Sequence, residues 1–157
     1  MLVEIAQIKV ALSPTELVSI GLGSCIGVCL YDPFARVGGL AHVMLPASNK
    51  GLKTEYRGKF ADTAVPALIV EMLKSGASAR RLVAKIAGGA QMFSFPNVSE
   101  FMCIGERNLN AVLEALDKEK IPVVSQDTGK NYGRSVRFCT GTGMLHIKSI
   151  GRQIKVI

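Results

Sequence analysis

Residues 17–46 read LVSIGLGSCIGVCLYDPFARVGGLAHVMLP, and the fold turns on this stretch. It divides into three apolar runs, 17–20, 26–31 and 36–45, with Asp32-Pro33 as the turn between the last two. Runs of this length, bounded by turn residues, are strands. The third is apolar on both faces, which places it in the interior of a sheet.

The break between the first two runs is Gly21-Leu-Gly-Ser-Cys25, a glycine-loosened turn that ends on a thiol. Such a turn can bring free backbone N–H groups, here those of Gly23 and Ser24, close to a reacting carbonyl oxygen. His42 follows within the third run, and Cys with His is a common cysteine-nucleophile arrangement. Each residue also has a plainer reading: an isolated strand histidine is usually a satisfied core residue, and a lone cysteine is a small buried hydrophobe. Their combination is what raises a catalytic pair. Ser19, on the preceding strand, carries a hydroxyl that could hold an imidazole in its productive tautomer, although a strand serine alone is commonly a spacer. Cys29 reads as core, Cys103 and Cys139 as structural, and His146, alternating with Lys148, as a residue of a wet strand face.

Outward from this stretch, residues 47–60 form a long polar loop, a candidate lid or substrate rim. Asp62 is positioned to cap a helix with the stripe Val65, Leu68, Ile69, Met72 and Leu73. Pro66 fits that helix only in its first turn, and Gly76 ends it. A strand at 82–87 opens onto Gly88-Gly89. A second helix runs near 106–118 with the stripe Leu109, Val112, Leu113 and Leu116. Another strand begins at Val123, and 135–139 with 145–150 form a hairpin about Thr140-Gly-Thr-Gly143. Gly88-Gly89-Ala90 lacks a following Gly-Lys-Ser/Thr, which rejects a P-loop. Many strands with two clear helices predict an α+β layered sandwich: mixed sheets with two or three helices on an outer face.

At 157 residues, 48% hydrophobic and 20% charged, the chain is expected to be a single domain spanning 1–157, neither disordered nor a coiled coil. No secretory signal and no membrane-length apolar run is read, so a cytoplasmic protein with free thiols and no membrane insertion is expected. The cysteine spacing contains no CxxC pair, so no metal site is expected. A net charge of +7 favours acidic partners. The basic residues are scattered and the chain has no Trp, which argues against nucleic acid and leaves an acidic protein.

Gly21–Cys25, His42-Val-Met-Leu-Pro46, Ala61-Asp62, Ala84-Lys-Ile-Ala-Gly-Gly-Ala90, Ile104-Gly-Glu-Arg-Asn108, Asp127-Thr-Gly129 and Gly133-Arg134 together resemble CheD, the chemoreceptor glutamine deamidases, in the family's order over nearly the whole chain. The resemblance implies a fold similar to the cytotoxic necrotizing factor deamidase domain. It implies conversion of glutamines on methyl-accepting chemotaxis receptors to glutamate, with Cys25 as nucleophile, His42 as base and acid, and no metal or organic cofactor. The family's third catalytic position usually holds threonine and here is Ser19. After Asp127 the family often shows paired glycines, whereas here Lys130 follows Gly129. Some members also bind CheC, the phosphatase of the response regulator. The alternative is a non-catalytic adaptor that binds receptors or CheC.

Overall fold

The computed structural model describes residues 1–48, 56–93 and 103–157. Its centre is the antiparallel pair β3 (Ile26–Asp32) and β4 (Val37–Val43), every residue of which is buried. Around that pair the first sheet has the order β1-β4-β3-β5-β6, with β1 (Ile8–Leu12), β5 (Val83–Gly88) and β6 (Val123–Thr128). Only the β5–β6 pairing is parallel. The second sheet is antiparallel, in the order β2 (Glu16–Leu22), β7 (Arg134–Cys139), β8 (Leu145–Lys148), β9 (Lys155–Val156). Among the described residues, the α-helices α1 (Ala61–Lys74) and α2 (Ile104–Lys118) complete an α+β layered sandwich.

Full burial of β3 and β4 follows from their place between two cores. Ile26, Val28, Leu30, Val37, Ala41 and Val43 pack with the helices. Cys29, Tyr31 and Leu40 pack with Leu17, Val136, Phe138 and Leu145 of the second sheet. Because side chains alternate along a strand, the two sets have opposite parity. The register puts Gly27 opposite His42 and Cys29 opposite Leu40, so His42 faces the second sheet. Cys25, two residues before Gly27, shares that parity and packs with the same core. On β2 the inward residues are Leu17, Ser19 and, past a register shift, Leu22, all fully buried. The fold therefore turns Ser19, Cys25 and His42 toward one inter-sheet space.

Several local expectations need correction. Asp62 does not cap α1: Phe60 holds the N-cap position without a side-chain bond, and Asp62 lies in the first turn. There its carboxylate accepts from the Ser48 amide at 3.0 Å and the Ser48 hydroxyl at 2.8 Å, tying the chain after β4 to the helix. Pro66 is the sixth residue of α1, past the first turn, where it removes one helical N–H donor without ending the helix. Tertiary burial of Val65, Leu68, Ile69 and Met72 outweighs that loss, whereas Leu73 is 43% exposed and lies off the stripe. Helix α2 starts two residues earlier than expected, at Ile104. Strands β1 and β9 were not expected; both are short edge strands defined by their partners β4 and β8. Within the polar loop, residues 49–55 lie outside the described residues; at its described ends the Leu45 amide donates to the Lys59 carbonyl at 2.9 Å. Among the described residues no helix is long and apolar enough to cross a membrane.

Candidate active site

Cys25 immediately precedes β3 and is half-buried, whereas His42, on the adjacent strand β4, is fully covered. One hydrogen-bond chain crosses from the second sheet to the first. The Ser19 hydroxyl lies 2.8 Å from the Val3 carbonyl and 2.8 Å from His42 Nδ1. A hydroxyl has one proton, and a carbonyl can only accept, so that proton goes to Val3. Toward the imidazole Ser19 must then act as acceptor. This network assigns the proton of neutral His42 to Nδ1 and the lone pair to Nε2. Nε2 is buried and has no hydrogen-bond partner among the described residues.

Burial governs both titrations, in opposite directions. It pushes the Cys25 thiol up, offset in part by the residue's own backbone N–H, and it pushes the His42 imidazole down, with the Val3 carbonyl pulling the other way. Both shifts favour the uncharged forms, the thiol of Cys25 and the neutral imidazole of His42.

The turn that carries Cys25 is fixed from behind by three donors. The Gly23 carbonyl accepts from the Ala90 amide at 2.8 Å, the Cys25 carbonyl from the Gly89 amide at 2.9 Å, and the Ser24 carbonyl from Asn108 Nδ2 at 2.9 Å. Outside the strands, no backbone hydrogen bond among the described residues uses the amides of Gly23, Ser24 or Cys25. At Gly88, φ is +115° and any Cβ would overlap the Cys25 carbonyl oxygen, so that position admits only glycine. Gly88-Gly89 thus buttresses the thiol-bearing turn, a role unrelated to phosphate binding. Met92 covers Gly23 from outside, 3.3 Å from where a Cβ would stand, and is itself 44% exposed.

Ser19 and His42 are in hydrogen-bond contact, Cys25 packs in the same inter-sheet core, and the other thiols and histidine lie elsewhere. Cys29 is fully buried in the inter-sheet core, and burial raises its thiol far above the ordinary range. Cys103 occupies the N-cap position of α2, and the Cys139 thiol donates to Glu16 Oε1 at 3.4 Å. His146 sits on β8 opposite Arg137 and Val156, with parity opposite to the inward Leu145 and Ile147. Asn108, Gly88-Gly89 and Met92 were not recognised as site residues. The glycine pair and Ile104–Asn108 were visible as motifs, but the partners that give them meaning are distant in sequence.

The family profile described as CheD chemotactic sensory transduction matches residues 44–149, a span that includes Asn108 but begins after His42. Full-length relatives cover the whole site. The chain is 53% identical to a protein of Caldanaerobacter subterraneus subsp. tengcongensis named probable chemoreceptor glutamine deamidase CheD, over 99% of this chain and 96% of that one. It is 50% identical to a protein of the same name from Syntrophomonas wolfei, over 99% and 96%. A Geobacter sulfurreducens relative, named probable chemoreceptor glutamine deamidase CheD 3, is 46% identical over 98% and 95%.

Proposed function

The chain belongs to the CheD family, and we propose that it deamidates glutamine side chains of methyl-accepting chemotaxis receptors, with Cys25 as nucleophile and His42 as general base and acid. The observation that carries this is the buried, unpartnered Nε2 of a histidine whose Nδ1 is held by Ser19, on the same face of the sheet as a half-buried thiol.

Nε2 takes the Cys25 proton as sulfur attacks the carboxamide carbon of the glutamine. The carbonyl oxygen becomes an oxyanion that the amides of the Gly23–Cys25 turn can receive; losing one such donor typically costs ~3 kcal/mol of transition-state stabilisation. The imidazolium returns its proton to the nitrogen as the C–N bond breaks, releasing ammonia and leaving a thioester on Cys25. Water then gives a proton to Nε2 and adds to the thioester carbon. Collapse expels the thiolate, which recovers that proton, and glutamate is released. Every step uses side chains and backbone of this chain plus water. The net charge of +7 favours an acidic receptor surface, chiefly through encounter rate.

Mass spectrometry of a receptor signalling domain, incubated with the protein and with its Cys25→Ala variant, tests the proposal. Gln-to-Glu conversion by the parent alone supports it. Failure of both to convert, while a stable complex with receptor or CheC still forms, supports the adaptor reading.

A further inference from the structure

Asn108 is fully buried on the second turn of α2, and its single amide nitrogen bridges two strand ends. Nδ2 donates to the Ser24 carbonyl at 2.9 Å and to the Met44 carbonyl at 2.9 Å. Ser24 immediately precedes Cys25, and Met44 lies two residues after His42. The two protons of one planar NH2 group therefore fix the distance between the thiol-bearing turn and the end of the histidine-bearing strand. The approach of α2 is itself set by backbone contact: a Cβ at Gly105 would lie 2.6 Å from the Gly89 carbonyl oxygen, so only glycine lets the helix come this close. The Asn108 Oδ1 is buried and has no partner among the described residues. A site selected only for packing would favour an apolar side chain over an amide with an idle buried oxygen.

We propose, building on the deamidase reading above, that Asn108 is a positioning residue, setting the Cys25–His42 geometry from outside the reacting atoms. Its donor hydrogens couple two backbone segments that the sheet ladder leaves free at their ends. Removing them lets the turn and the end of β4 drift, and a displacement near 1 Å costs on the order of 100-fold in rate.

The test compares Asn108→Ala with Val112→Ala, a truncation one turn further along α2 in the helix-side core. Deamidation of a receptor signalling domain is followed as kcat and KM, and iodoacetamide alkylation of Cys25 by peptide mass spectrometry, both in the parental and in the His42→Ala background. Asn108→Ala is expected to lower kcat by roughly 10- to 100-fold with KM unchanged. It should slow Cys25 alkylation in the parental background and leave it unchanged when His42 is absent, because a positioning effect needs the partner it positions. Val112→Ala should leave both readouts near parental values despite its lower melting temperature. If Asn108→Ala fails to fold, Asn108→Leu keeps the volume, lacks both donors and should show the same pattern.

A kcat within twofold of the parent overturns the proposal. So does an equal change of alkylation in both backgrounds, or an equal loss in Val112→Ala. A parent that alkylates in a His42-dependent way but converts no receptor refutes the deamidase assignment and leaves the Asn108 comparison decisive. Alkylation unaffected by His42→Ala refutes the Cys25–His42 pairing and the positioning role with it.

Discussion

Replacing Ser19 by alanine removes the side chain that, among the described residues, spans from the second sheet to the His42 imidazole. The hydroxyl makes two buried bonds of 2.8 Å, to Val3 and to Nδ1. A buried neutral hydrogen bond contributes about 1 kcal/mol net, and each partner left unpaired costs about 1–3 kcal/mol. The Val3 carbonyl and the Nδ1–H both lose this hydroxyl, although the carbonyl also acts on the imidazole, so the expected destabilisation is at most about 3 kcal/mol. For a chain of this size that lowers Tm by roughly 6–12 °C. The effect on rate is separate. Without the acceptor at Nδ1 the imidazole loses its preference for the Nδ1–H tautomer, and the Nε2–H form cannot take a proton from Cys25. Loss of a bond of about 1.4 kcal/mol lowers the ratio of the Nδ1–H to the Nε2–H tautomer about tenfold, and loosening of the ring adds further to the loss of rate. The expected kcat in Ser19→Ala is about 10- to 100-fold below the parent, whereas Ser19→Thr restores the oxygen with a rotamer-restricted side chain and should recover most of the loss. The assays are receptor deamidation, thermal unfolding and long-range 15N NMR of the His42 ring. A parental Nε2–H tautomer in that spectrum, or a Ser19→Ala enzyme that melts early yet keeps parental kcat, would falsify the assignment of Ser19 as the imidazole's anchor.

Three further outcomes are expected. Burial lowers the His42 pKa below its ordinary 6.5, so kcat should be flat through neutral pH and fall with an inflection below 6.5; an inflection above that value contradicts the neutral-base mechanism. The same shift has a stability consequence: between the folded and unfolded pKa values the unfolded chain holds more protons, so stability falls as pH drops below about 6.5, readable by denaturant titration. Gly88→Ala should destabilise by at least about 2 kcal/mol, because φ of +115° strains any side chain and the new Cβ meets the Cys25 carbonyl. Its kcat should fall further than in a core variant of equal Tm, and parental kcat would show that the turn tolerates displacement. Asp32→Ala should separate stability from activity. Its buried carboxylate accepts from the Phe34, Ala35 and Ser78 amides and from Arg81 Nε and Nη2, which together hold its pKa well below the usual carboxylate range. Loss of these bonds should cost about 2–4 kcal/mol, with kcat of the folded fraction unchanged, since the Asp32 end of β3 is opposite to the Cys25 end. A selective loss of kcat would refute that separation.

The sequence by itself determined most of the strands and both described helices, because periodicity and turn chemistry are local. The runs at 26–31 and 36–45 became β3 and β4, the hairpin closed about Thr140–Gly143, and α1 and α2 buried most of the stripes read from their spacing. It also supplied Ser19, Cys25 and His42, since a thiol after a glycine turn and a histidine in an apolar strand are visible without coordinates. Tertiary structure decided the rest. The edge strands β1 and β9 exist through pairing with β4 and β8, a contact no local pattern encodes. Asp62 ties the chain after β4 to the helix instead of capping it, and Pro66 is tolerated in the second turn, because packing and long-range bonds outweigh local preference. The tautomer of His42 depends on where the Ser19 proton goes, which in turn depends on the Val3 carbonyl. The acidities of Cys25 and of His42 depend on desolvation. Asn108 acquires its role only where α2 meets the ends of two strands, since one amide can join two carbonyls distant along the chain only after folding has brought them within a hydrogen bond's length.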